Sequence, residues 1–287
     1  MKINDLKMRL NKHHITSYRW IKSSIQLGLC VVLFGIIFNI QPILAGESIK
    51  EVKLNDSKSS FNGNINQTQE FESNDVSTSA VKRANFKSES VSKEAREIGD
   101  WIVDSGNNQL LPFIIIDKEN TKAFAFDADG NLIGAAPVLL GLAKGDDSLP
   151  GIGHMKLSAI KPENRTTPAG RFMAKLDKSI HGKEILWVDY DTAISLHRVV
   201  TSNPKEHRAE RLASPTTLDN RISFGCINVP IPFYEEIVSP SFREKNGVVY
   251  ILPETRSALI TFGAYNVDEH LALQSKKSSL LTKNTTE

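Results

Sequence analysis

From residue 92 onward the chain alternates between apolar and polar positions in two distinct rhythms. Ala95, Ile98, Trp101 and Ile102 recur at helical spacing and form one apolar face. Ser92 is suited to cap the free N–H groups at the start of such a helix, and Glu94 and Glu97 suit its first turns. Gly106-Asn107-Asn108 ends it. The rhythm then shortens. Phe113-Ile114-Ile115-Ile116, Ala123–Phe126 and Leu132–Leu140 read as strands, separated by the turn residues 117–120 and 127–131. A Gly- and Pro-rich stretch, 141–166, reads as a long loop. Thr167–Phe172 leads into another β segment, and Ile185–Val188 and Ala193–Leu196 are further strand segments. Phe233–Val238 reads as a helix with Pro230 and Pro232 near its start, and Gly247–Leu252 as a last strand stopped by Pro253. Short strands between turns, with few helices, predict a mainly β fold of antiparallel or mixed sheets.

The first 91 residues follow neither rhythm for long. Residues 1–24 carry six basic groups against Asp5, and an uncharged apolar run follows from Leu27 to Phe38. This is the order of an export signal, with Ala45 as a plausible end. The run is short for a bilayer span, which needs roughly 20 apolar residues. A cleaved signal and an uncleaved membrane tether both remain open, and either would export the rest of the chain. Residues 46–91 contain nine Ser and six Asn with only scattered apolar residues, the composition of a disordered linker. The expected division is therefore 1–45 leader, 46–91 linker, 92–110 helix, 111–255 main domain, and 256–287 a C-terminal extension ending in a flexible tail.

The leader also alters the charge balance. The whole chain is +2, but residues 1–45 net +5, so the remainder nets −3. That remainder offers no bulk basic charge to nucleic acid. The Asp127–Asn131 turn faintly resembles a calcium loop, but Val138 stands where a closing Glu would be needed. No histidine–cysteine spacing suggests zinc, and neither cofactor nor metal is expected.

The candidate chemistry lies in Arg221-Ile222-Ser223-Phe224-Gly225-Cys226-Ile227-Asn228. The chain has two cysteines, and Cys30 sits inside the apolar leader. Cys226 would then be an unpaired thiol in an oxidising compartment, where a reactive role explains it better than a disulfide. A cysteine nucleophile needs a base and oxyanion donors. Gly225 permits a tight turn whose N–H groups could face an oxyanion, and Ser223 can orient its neighbours. Outside the leader the histidines are His154, His181, His197, His207 and His270. His197 directly follows the apolar run 193–196, where a ring is held rigidly yet stays reachable. His154 and His181 read as loop and turn residues, and Trp101 and Trp187 as core.

These residues resemble the L,D-transpeptidases with the YkuD-type catalytic domain. Ile194-Ser195-Leu196-His197 matches that family's strand-end histidine, and Ser223-Phe224-Gly225-Cys226-Ile227-Asn228 its nucleophile segment. Thr167-Pro168-Ala169-Gly170-Arg171-Phe172 matches its Thr-Pro-x-Gly-x-Phe segment. The resemblance covers roughly residues 111–253. It implies a YkuD-like β-sandwich and a two-step acyl transfer on peptidoglycan peptide stems, with Cys226 as nucleophile and His197 as general base and acid. Asn228, Arg221 and Arg198 become candidate substrate-binding residues. Three departures stand out. Phe224 replaces a histidine, Arg198 follows the base, and 29 positions separate His197 from Cys226. The added residues at 198–221 form either a charged flap or a solvated loop. An L,D-carboxypeptidase, attachment of a protein to peptidoglycan, and an inactive wall-binding module are the alternatives.

Overall fold

The computed structural model describes residues 81–283. The leader, most of the Ser/Asn-rich stretch and the last four residues lie outside the described residues. Helix α1 (Lys93–Ser105) forms where the spacing predicts it. Ser92 accepts a hydrogen bond from the Ala95 N–H, and Gly106 closes the helix in the left-handed region.

Ten strands follow among the described residues: β1 (Phe113–Asp117), β2 (Lys122–Phe126), β3 (Leu132–Pro137), β4 (Leu140–Gly141), β5 (Gly170–Lys178), β6 (Glu184–Asp189), β7 (Ile194–Arg198), β8 (Arg221–Ser223), β9 (Ile227–Val229) and β10 (Gly247–Ile251). Eight form one sheet in the order β3-β2-β1-β10-β5-β6-β7-β9, and β4 pairs with β8 in a second. The fold is mainly β and mixed, as expected. Most neighbours are antiparallel, but β1/β10, β7/β9 and β4/β8 run parallel.

The long strand β5 joins the two halves of the large sheet. Its first residues, Gly170–Ala174, pair with β10, and Lys175–Lys178 pair with β6. Both halves contribute to one core cluster: Ile114, Ile116, Val249 and Ile251 from one, Leu186, Leu196, Ile227 and Val229 from the other. The short helices α3 (Ile231–Phe233) and α4 (Ser239–Phe242), with the π-turn Tyr234–Val238 between them, close this core with Phe233, Tyr234, Val238 and Phe242. A second cluster covers the opposite face of β1 and β10. There Phe113, Ile115, Val248 and Tyr250 meet α1 and residues of the C-terminal helices α5 (Ala258–Phe262) and α6 (Val267–Lys283). This explains the unbroken apolar run in β1: the strand is covered on both faces, so neither set of alternating side chains meets water.

Several expectations on the chain's organisation change. Residues 81–91, assigned to the linker, are packed in part: Ala84 and Phe86 are buried, and Asn85 bridges to Asn131. Phe86 sits edge-on to Phe124 and Phe126, which supplies the apolar burial that the local composition obscures. The C-terminal extension continues as α6 to Lys283, so the stretch with tail composition is helical in large part. Trp187 lies on the outer face of β6, half-buried and stacked on Tyr190, rather than in the core.

A buried ionic cluster ties the loops beneath the two sheets. The Lys118 ammonium, with no exposed surface, donates to the Gly145 and Thr167 carbonyls at 2.6 and 3.0 Å and to Asp146 at 2.8 Å. Glu254 lies 3.5 Å from the same ammonium and also pairs with Arg221. Burial opposes ionisation of Asp146, but Lys118, the Thr255 hydroxyl and the N–H groups of Glu254 and Thr255 outweigh it. They hold its carboxyl well below the usual range. Replacing Lys118 by Met leaves the buried Asp146 carboxylate without its cation, while Glu254 keeps only Arg221. The expected loss is about 3–5 kcal/mol in urea unfolding, and a change within experimental error would show that the cluster carries no stability. Because the Asp146 pKa is lowered in the folded state, its contribution is complete above about pH 4 and is lost as the pH falls below that. The urea midpoint should therefore decline on acidification, and Asp146→Asn should flatten that decline.

Candidate active site

The strand period and the register of β7 against β9 assemble the site. The two strands pair in parallel, Leu196 with Ile227 and His197 with Asn228. Side chains alternate across a strand, so Ile194, Leu196, Ile227 and Val229 enter the core. Ser195, His197, Cys226 and Asn228 share the other face.

Cys226 lies at the end of the three-residue turn between β8 and β9, where the chain passes from the small sheet to the large one. Its thiol donates to the Ala193 carbonyl at 3.5 Å, and the Ser195 hydroxyl donates to Sγ at 3.5 Å. Burial pushes the Cys226 thiol up. The hydrogen bond and charge of His197 pull it down, helped by the hydroxyl and backbone N–H of Ser195. The net direction is downward, toward thiolate. His197 is half-buried, and its Nδ1 lies 2.7 Å from the Arg198 carbonyl. A carbonyl only accepts, so Nδ1 carries the hydrogen, which leaves Nε2 to take a proton from the thiol.

The turn before Cys226 can only be made by glycine. Gly225 has φ +135°, and a Cβ there would lie 2.7 Å from the Thr166 carbonyl oxygen and 2.7 Å from Ile194 Cδ1. Ser223 braces the turn from within: its hydroxyl donates to the Cys226 carbonyl at 2.7 Å and accepts the Gly225 N–H at 3.0 Å. The expectation that the Gly225 N–H serves an oxyanion is therefore corrected, because that donor is already used. Thr167 braces it from outside. Fully buried, it donates to the Gly225 carbonyl at 2.7 Å and accepts the Gly141 N–H at 2.9 Å.

The three residues expected to bind substrate are otherwise engaged. Asn228 has no exposed surface; its Nδ2 donates to the Cys226 carbonyl and its Oδ1 accepts from Arg208 at 2.8 Å. It holds the turn against the added segment, where Arg208 opens the short helix α2 (Arg208–Ala213) and Leu212 is buried. Arg221 is gripped by both Glu254 oxygens in the ionic cluster. Arg198 points to the opposite face of β7 from His197, 4.0 Å over the Tyr234 ring and paired with Glu235.

Thr167 and Ser195 carry roles that the sequence reading did not assign. Thr167 was visible only as part of the Thr-Pro-x-Gly segment, and Ser195 through its two-residue offset from His197. A cavity of about 120 Å³ opens beside Cys226, walled by Ile152, Met155, Leu157, Ile160, Ile194 and Phe224. The wall is largely apolar, and its far side is formed by the loop 148–160.

Alkylation of the full chain by iodoacetamide, followed at Cys226 by peptide mass, should have its pH midpoint below the roughly 8.5 of an ordinary thiol. In His197→Ala the midpoint should rise. An unchanged midpoint would mean that His197 does not poise the thiol.

No family model and no curated protein matches the chain. Among solved structures it is similar to the L,D-transpeptidase from Xylanimonas cellulosilytica DSM 15894, at 12% identity over 49% of this chain and 60% of that one, with a TM-score of 0.30. It is also similar to the catalytic domain of the L,D-transpeptidase of E. faecium, at 18% identity over 49% of this chain and 96% of that one, also with a TM-score of 0.30.

Proposed function

We propose that this chain is a cysteine acyltransferase of the L,D-transpeptidase kind, acting on peptidoglycan peptide stems. The observation that carries the reading is the Cys226 thiol, drawn toward thiolate beside His197 at the mouth of an apolar cavity. The substrate class rests on the sequence resemblance at residues 167–172, 194–197 and 223–228.

In the first step His197 Nε2 takes the thiol proton, and Sγ attacks the carbonyl that precedes the terminal residue of a tetrapeptide stem. The carbonyl π electrons move to oxygen. With the Gly225 N–H used by Ser223, the Cys226 N–H is the backbone donor assigned to that oxyanion. On collapse the C–N bond breaks, and the His197 proton goes to the leaving amine. This leaves a thioester on Cys226. In the second step an amine of another stem attacks the thioester, and the C–S bond breaks to return the thiolate. A 3→3 cross-link results, and the amine's proton passes through His197. The basic residues and apolar run at the N-terminus support action outside the cytoplasm.

Incubated with tetrapeptide muropeptides, the full chain should show a mass increase at Cys226 and then release cross-linked dimers. Tripeptides without dimers would replace transfer by hydrolysis, making it an L,D-carboxypeptidase. No adduct on the folded chain, with the stems retained on it, would replace the enzyme by a wall-binding module.

A further inference from the structure

The geometry points to Arg165 as a specificity residue: an anchor for the free carboxylate of the donor's terminal residue, held against Phe224 and Ile160, two of the residues that line the cavity at Cys226. This inference rests on the transferase reading above and names the leaving group that the site selects.

The guanidinium of Arg165 lies 3.9 Å from the centroid of the Phe224 ring, two residues before the nucleophile. Its Nε and Nη2 donate to the Ile160 carbonyl at 3.3 and 3.2 Å. Phe224 and Ile160 both wall the cavity that reaches Cys226. Among the described residues these are the groups its guanidinium meets, and no carboxylate is among them. This sets it apart from Arg198, Arg208 and Arg221, each of which pairs with a glutamate. A guanidinium has five N–H donors, and the Ile160 carbonyl accounts for one on Nε and one on Nη2. The Nη1 edge remains for a ligand.

Arg165 is also held in place from its backbone. Its N–H donates to the Pro162 carbonyl at 3.2 Å, and its carbonyl accepts from Ala143 at 3.0 Å. A Cβ on Gly141 would lie 2.3 Å from the Arg165 carbonyl oxygen, so the two segments meet at a distance that only glycine permits. Stacking and the two bonds to Ile160 fix the planar head, so little side-chain freedom is left to lose on binding.

The occupant must match both parts of this site. The cavity lining is mainly apolar, with Ser148, Thr166 and Thr192 as its polar residues and no charged one, which favours a small apolar side chain. Arg165, stacked on Phe224, supplies a fixed cation with a planar fork, the geometry that suits a carboxylate. A C-terminal residue with a small apolar side chain and a free carboxylate has both. Placed there as the leaving residue, it sets its amide bond beside Cys226 Sγ.

The test compares two donors on the full chain, a tetrapeptide stem ending in a free carboxylate and the same stem ending in a carboxamide. The readout is the ratio of kcat/KM for Cys226 acylation, followed by mass. The native chain should favour the carboxylate by on the order of 10- to 100-fold. Arg165→Gln should bring the ratio close to one by slowing the carboxylate donor alone. A general folding defect would slow both donors and leave the ratio unchanged. Should Arg165→Gln fail to fold, Arg165→Lys keeps the charge without the fork, and its ratio should fall between the two. Equal rates on both donors in the native chain, or a ratio that survives both substitutions, would overturn the anchor and leave the transferase reading standing. If neither donor acylates Cys226, the transferase reading falls and the anchor falls with it.

Discussion

The parallel register of β7 on β9 is the constraint on which the rest of the site depends. The strand period of two means that burying Leu196, Ile227 and Val229 forces His197 and Cys226 onto one common face. A slip by one residue would place the imidazole in the core and Arg198 beside the thiol. Such a slip of β7 would bury the His197 ring and expose Ile194 and Leu196. The same apolar burial that holds the sandwich together therefore also fixes which ring meets the sulfur. The dyad is a consequence of core packing as much as of the two residues themselves.

A second constraint acts on the turn that presents Cys226. The backbone at Gly225 lies against the Thr166 carbonyl, and Thr167 joins Gly225 to Gly141 through one hydroxyl. Thr167 is itself held through its carbonyl by the buried Lys118 ammonium. Cys226 is thus linked, through a few short contacts, to an ionic cluster that reaches Asp146, Glu254 and Arg221. Buried ion pairs add little net stability against an apolar replacement, but they are costly to break one partner at a time. Here they fix the relative positions of loop 141–166, the start of β8 and the end of β10, the segments that meet beneath the turn.

Much of the fold was legible in the sequence wherever a local period was strong. Ser92 and Gly106 bracket α1, and the β-branched run 113–116 becomes a strand. The elements that were missed are those that local pattern does not encode. Strands β4, β8 and β9 are two or three residues long and exist only because distant segments pair with them. The buried Phe86 sat in a Ser/Asn-rich context that masked it. In the candidate site, motif and strand-end position single out Cys226 and His197, and the structure brings the two together. The roles of Arg221, Asn228 and Gly225 were not, because each depends on a partner remote in sequence or on which hydrogen bond its N–H makes. Glu254 lies 33 positions from Arg221, and no short-range pattern announces that pairing.

Phe224 stands two residues before Cys226 and lines the cavity beside the thiol. Its hydrocarbon ring donates no hydrogen bond. What it does offer is a face of negative potential, and the Arg165 guanidinium lies over that face. The thiol is poised by His197 and Ser195 on the β7 side, and the Arg165–Phe224 stack stands on the cavity side. On the proposed reading, chemistry and selection sit on different segments of the fold. Substitution on the cavity side would then change which acyl donor is accepted while the register of His197 and Cys226, fixed by the core, stays as it is.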